Sequence, residues 1–238
     1  MQRDDGSLLA LGAAGLLAAG TLLSGRRGGS RSRLFAASAK RREHQRFTAL
    51  YDSLQAVLRA ITQDGWSFGV EMDRPEDFGE YLDWIKAAPL PFIAGGFTRL
   101  AFDLGDGRVL KVDRGFGGVD PDDPYYRSWN GEPSGANLRE AAVWARATPR
   151  QRDWLVPVLE VDPKGRWIVM EKVEPLWILD EDNADESDEE LFTLLKTVPP
   201  QVRRVAEELG VAAGQVAPPN LDTHYRLLDY EAALEPSP

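Results

Sequence analysis

PFIAGGFTRLAFDLGDGRVLKVDRG, residues 91–115, decides the fold class. It reads as strand, glycine turn, strand, tight turn and strand. The apolar positions Leu100, Phe102, Val109, Leu110 and Val112 supply a sheet, and Gly105, Asp106 and Gly107 supply the turn of a hairpin. Lys111 lies inside the last strand between Leu110 and Val112, fifteen residues after Gly96. Glycines such as Gly95 and Gly96 let backbone N–H groups approach an anion, and a lysine ammonium adds a point charge, so the segment points to a phosphate contact. The plainer alternative is a surface hairpin with an outward lysine.

Downstream, NLREAAVWARATP (137–149) predicts a helix with Asn137 as its N-cap and Leu138, Ala141, Ala142 and Trp144 as the face that packs on a sheet. Glu140 falls in its first turn, where Asn-x-x-Glu also fits a capping box. WLVPVLEVD (154–162), the turn Pro163-Lys164-Gly165 and RWIVMEKV (166–173) make a second hairpin rich in β-branched residues. The expected unit over 91–173 is therefore a five-stranded antiparallel sheet with one packed helix, in an α+β protein.

Upstream, Phe47, Leu50, Tyr51, Leu54, Val57, Leu58 and Ile61 recur at spacings of three or four, which predicts an amphipathic helix within 34–63, stopped by Gly65. A shorter helix is expected over 75–88 before Pro89 and Pro91. Residues 34–90 thus form a helical N-terminal extension. Further upstream, residues 8–23 are an uncharged run rich in Ala, Gly and Leu, and the 19 residues from Ser7 to Gly25 span about 28 Å as a helix, close to a bilayer core. Only Arg3 precedes the run, whereas Arg26, Arg27, Arg31, Arg33, Lys40, Arg41 and Arg42 follow it. Residues 1–33 are therefore expected to be a hydrophobic membrane helix with a basic linker, the C-terminal body lying on the cytoplasmic side. A cleaved signal and a partner-docked helix are the alternatives.

The 238-residue chain carries 28 Lys and Arg against 38 Asp and Glu, a formal net charge of −10. That acidity argues against a nucleic-acid partner, which needs a cationic face. With no Cys, disulfides, thiol nucleophiles and Cys-type zinc sites are excluded, and His44 and His224 are too few for a histidine metal cluster.

The order of glycine loop (AGGFTRLAF), strand lysine (VLKV), helix glutamate (NLREAAVW) and two strands entering a hinge (WLVPVLEVDPKGRWIVMEKVEPL) resembles the protein-kinase-like superfamily. The nearest branches are the aminoglycoside-phosphotransferase-like proteins and the very small kinase-like proteins of phages and prokaryotes. The resemblance covers roughly 91–234. It implies a kinase-like N-lobe over 91–173 and a minimal, mostly helical C-lobe over 174–238. It also implies that Lys111 holds the α and β phosphates of ATP and pairs with Glu140, and that Met170 guards the back of an adenine pocket. Backbone groups of Glu171 and Val173 would meet the adenine edge.

In the tail, AGQVAPPN (213–220) and LLDYEAAL (227–234) put Asn220 and Asp229 on the family's two Mg²⁺-ligand positions. Gln215 stands where the family has its catalytic aspartate, and Ala213 and Ala217 replace two histidines. An amide cannot accept a substrate's hydroxyl proton. The acidic stretch 180–190 reads as a solvated loop. Three functions follow as expectations. One is a membrane-tethered pseudokinase module, nucleotide-binding or purely structural, that acts through a protein partner. The others are an active ATP-dependent phosphotransferase and a membrane-associated structural protein of a virion or envelope complex.

Overall fold

The computed structural model describes residues 36–61, 79–96, 98–119, 127–176, 193–211 and 215–230. It comprises two compact units divided between Arg46 and Phe47, and the sheet and candidate site lie wholly in the second. The protein is α+β. Residues 36–61 are helical, and the part from 47 to 61 is α1. There follow α2 (Gly79–Ala87), β1 (Phe92–Gly95), β2 (Arg99–Asp103), β3 (Arg108–Asp113), β4 (Gly118–Val119) and β5 (Arg127–Ser128). Next come α3 (Ala136–Arg146), α4 (Pro149–Arg152), β6 (Val158–Val161) and β7 (Trp167–Glu171). The last elements are α5 (193–197), α6 (Pro200–Glu208) and a 3-10 turn, Pro218–Asn220.

Five strands form one antiparallel sheet in the order β1-β2-β3-β7-β6. Side chains alternate across its two faces, and both faces are covered. On one, Leu100, Phe102, Leu110, Val112, Trp167 and Val169 pack with Phe47, Leu54 and Leu58 of α1 and Tyr81 of α2. The indole of Trp167 meets the Phe47 ring edge-on, with centroids 5.2 Å apart. The α1 contacts follow the three-and-four spacing of its apolar residues. On the other face, Ile168 and Met170 join Val143 of α3, Val202, Val205 and Ala206 of α6, and Leu221, Leu227 and Tyr230 of the tail.

The helix that the sequence placed at 137–149 differs in two respects. It starts at Ala136 after Gly135, whose φ of 81° needs no side chain, and ends at Arg146; Thr148 then caps the separate turn α4 through a capping box with Gln151. Its inward face is also different. Leu138 and Ala142 are exposed, while Ala136, Asn137, Glu140 and Val143 are buried. Asn137 is no cap: its amide donates to Gly165 O at 2.9 Å. Glu140 likewise has partners other than a free helix amide. The helix turns polar groups inward because the sheet face beneath it carries two cations. The short pair β4·β5 has no counterpart among the expected elements.

Two further expected segments lie partly or wholly outside the described residues. The helix anticipated over 75–88 is described from Gly79, residues 75–78 and Gly65 lying outside the described residues. So does the run 8–23. Among the described residues no helix is long and apolar enough to cross a membrane.

The tail closes onto the sheet. Leu221 and Leu227 bridge antiparallel, Leu227 bridges Leu155 in parallel, and Pro175 bridges Asp222. Asp222, buried, accepts from the backbone N–H groups of His224 and Arg226 and from the Arg226 guanidinium at 2.7 Å, which fixes this turn. Arg226 reaches on to Glu171 at the end of β7, 3.1 Å away.

Candidate ligand-binding site

Register brings the charged residues together. Lys111 faces Ala101 across the β2·β3 ladder, and Arg99 precedes Ala101 by two residues, so all three share one face of the sheet. From α3, Glu140 projects down between the two cations. Its side chain is fully buried; Lys111 Nζ lies 3.2 Å from Oε1, and Arg99 Nη1 lies 2.5 Å from Oε2. Asp229 of the tail pairs with Arg99 Nη2 and stands 4.0 Å from Lys111 Nζ. Lys111 also donates to Leu228 O at 2.5 Å, and the Tyr230 N–H donates to Glu140 Oε1 at 3.4 Å. Among the described residues two cations and two carboxylates thus form one network. Burial pushes the Asp229 carboxyl up, but Arg99 and Lys111 outweigh it and hold the group below the usual carboxylate range.

The glycine turn is occupied by its own chain. Gly96 N–H donates to Arg99 O at 2.8 Å, and Gly95 pairs with Leu100 in the β1·β2 ladder. The Gly96 amide is therefore committed within the turn and does not face outward as an anion cradle. Arg114 holds the turn from outside, donating to Gly96 O at 2.9 Å, its guanidinium lying 5.3 Å from the ring centre of Tyr81 and 5.2 Å from that of Phe116.

Beside the ion network lies an apolar cavity of about 280 Å³, walled by Ala101, Val109, Val156, Met170, Val173 and Leu228 among others, with Lys111 at one end. Met170 and Glu171 reach it from the end of β7, and Val173 from the strand's exit. Glu171 has its N–H on Pro157 O at 3.1 Å. Its walls are mostly apolar, with the charged side chains of Lys111, Glu171 and Lys172 also on its lining.

Asn220 and Asp229 flank the segment 221–228, whose Leu228 N–H donates to Asn220 O at 2.9 Å. The Asn220 amide nitrogen donates to Gln215 Oε1 at 2.9 Å. Gln215 and Asn220 are thus paired with each other, and Asp229 with Arg99. Among the described residues no group of three or more His, Asp or Glu is placed to hold a metal ion.

Of the sequence-derived positions, Lys111, Glu140 and Asp229 converge in the network, and Met170, Glu171 and Val173 line the cavity. Gly95 and Gly96 form the pinned turn. Sequence reasoning missed Arg99 and Arg114. The alternation that exposes Lys111 to α3 also does so for Arg99 once the hairpin register is known, and that register was the available signal. No protein-family model, curated protein or solved structure matches the chain.

Proposed function

We propose that this chain is a membrane-tethered, kinase-like module that binds the base of a nucleotide in its apolar cavity, transfers no phosphoryl group at a useful rate, and acts through a protein partner. The reading rests on one observation above all: a strand lysine and a helix glutamate pair, buried, at the end of an apolar cavity below the exit of β7. The strand order β1-β2-β3-β7-β6 with α3 across it is the frame that this pairing requires. Silence in transfer follows from Gln215, a neutral amide already bonded to Asn220, which offers no lone pair basic enough to take a hydroxyl proton. General-base help is typically worth about 10² to 10⁴ in rate.

The test is a titration of the full chain in detergent with adenosine and ADP, followed by tryptophan fluorescence or calorimetry. Saturable binding that Lys111→Ala weakens for ADP supports the reading; no binding of either compound overturns it. Turnover of ATP should stay at background, and robust turnover would restore the phosphotransferase alternative. The tether is tested apart from the cleft by fusing residues 1–33 to a soluble reporter. The fusion should pellet with membranes and resist high salt, whereas release by salt alone would mean attachment through the arginines only.

A further inference from the structure

Mg²⁺ is the ion a kinase-like reading implies, and the residues at its expected place do not fit it. Mg²⁺ takes oxygen ligands and is held by carboxylates whose charge is available to it. Asp229 is instead bound by the Arg99 guanidinium and lies 4.0 Å from the Lys111 ammonium, so an ion seated on its carboxylate would stand against two positive charges. Asn220 could add only a neutral oxygen, its amide nitrogen being held by Gln215.

We infer that Asp229 is an internal plug rather than a metal ligand: its carboxylate occupies an anion site built by Arg99 and Lys111, and a phosphate group competes with it for that site without a divalent cation. This rests on the proposed nucleotide cleft for the identity of the ligand and deepens it. Three features carry the inference. Arg99 is 7% exposed and Lys111 12%, so both cations are withdrawn from water, where a charge-assisted contact is strong. Glu140 carries one charge against two cations, and among the described residues Asp229 is the second anion beside them. Asp229 supplies that anion, yet its side chain is 32% exposed, the most open member of the network and the one that can swing away. In the exchange one carboxylate oxygen leaves the guanidinium and one phosphate oxygen takes its place, bringing at least as much negative charge to the cations. Arginine's planar fork accepts either group.

The opposite sign of one substitution separates the plug from a metal ligand. Asp229→Asn removes the competing charge, so pyrophosphate in EDTA should bind the full-length variant about tenfold to a hundredfold more tightly than the wild type, the range expected for one charge-assisted contact. If Asp229 were a metal ligand, the variant would bind no better in EDTA and would lose a Mg²⁺-dependent gain in ADP affinity. Either result overturns the inference. A measurement on the unaltered chain stands even if the variant fails to fold: ADP affinity should change less than about twofold between EDTA and excess Mg²⁺, and a large Mg²⁺-driven gain would overturn the plug. Adenosine separates the two proposals, because it has no phosphate. If adenosine fails to bind while pyrophosphate behaves as stated, the base-pocket reading falls and the plug stands; binding of adenosine with no pyrophosphate response in either chain does the reverse.

Discussion

Glu140 answers two buried cations, so its loss leaves both without their fully buried counter-ion. Glu140→Ala should destabilise the fold by about 3–5 kcal/mol, the usual cost of breaking a buried pair by removing one partner, read by chemical denaturation. Asp162 gives a prediction with a pH sign. Its buried carboxylate accepts from Arg166 Nε at 2.7 Å and Nη2 at 2.8 Å and from the Lys164 and Arg166 amides. Burial alone would raise it, yet these partners hold the carboxyl below the usual carboxylate range. A depressed folded value means stability that is present above the unfolded value of about 3.9 and lost as pH falls through the folded one. Asp162→Asn should therefore be less stable at pH 7 and should lose less on acidification below about pH 4, measured by melts at stepped pH. At this scale Lys111 was legible as a charge inside an apolar strand, whereas Glu140 on its own fitted a capping box and was paired with Lys111 only through the kinase-like order of motifs. Arg99 was not legible, because a cation beside a glycine turn looks like a loop residue until the partner strand fixes its face.

Elements were legible where periodicity was long and local. The strands of 92–113 and the apolar spacing of α1 declare themselves, since each repeats its period several times. The end of α3 was read only loosely, at 147 or 149 against the observed Arg146, because the apolar and helix-forming run through Ala147 carries no glycine stop. What stops it is Pro149, before which Ala147 and Thr148 are extended; Thr148 then starts α4, accepting from the Gln151 N–H while the Gln151 side chain accepts from the Thr148 N–H. Thr148→Ala should cost about 1 kcal/mol and leave ligand binding unchanged, since the side chains of α4 bond to Glu208 and to the carbonyls of Trp144 and Ala145. The loop leading to α3 is less forgiving. A Cβ on Gly117 would lie 2.7 Å from Glu132 O and 2.9 Å from Pro133 O, both backbone atoms that cannot step aside singly. Gly117→Ala should thus be clearly more damaging than Thr148→Ala, by about 2 kcal/mol or more in denaturant, the range for overpacking. Near-equal losses would mean the loop can shift as a body. That loop also carries Ser134, whose N–H and hydroxyl meet the buried Asp113 carboxylate at 3.1 and 2.6 Å, so the strain of Gly117→Ala reaches the start of α3.

At the scale of the molecule, both faces of a single sheet are used, one for stability and one for the site. The sequence announced α1 as an amphipathic helix but not what its apolar face covers, because periodicity describes one surface and not its partner. The structure supplies the partner: Phe47, Leu54 and Leu58 close the face opposite the ion network, and Trp167 sits under α1 with its indole N–H 3.4 Å from Thr48 Oγ1. Without α1 that face would expose Leu100, Leu110, Val112 and Trp167, a contiguous apolar surface of the kind that soluble monomers avoid. Burying one such side chain is worth roughly 1.5–3 kcal/mol, so the loss summed over several exceeds the marginal stability of a domain. A chain lacking residues 1–61 should therefore lose cooperative unfolding and bind a hydrophobic dye, while Leu54→Ala in the full chain should melt cooperatively at a lower temperature, with a cost of about 2–5 kcal/mol. A cooperative transition in the truncated chain would show that the sheet and its site stand without α1. The outcome bears on the cleft as well, because Lys111 lies between Leu110 and Val112, the two residues that α1 and its neighbours hold in place from behind.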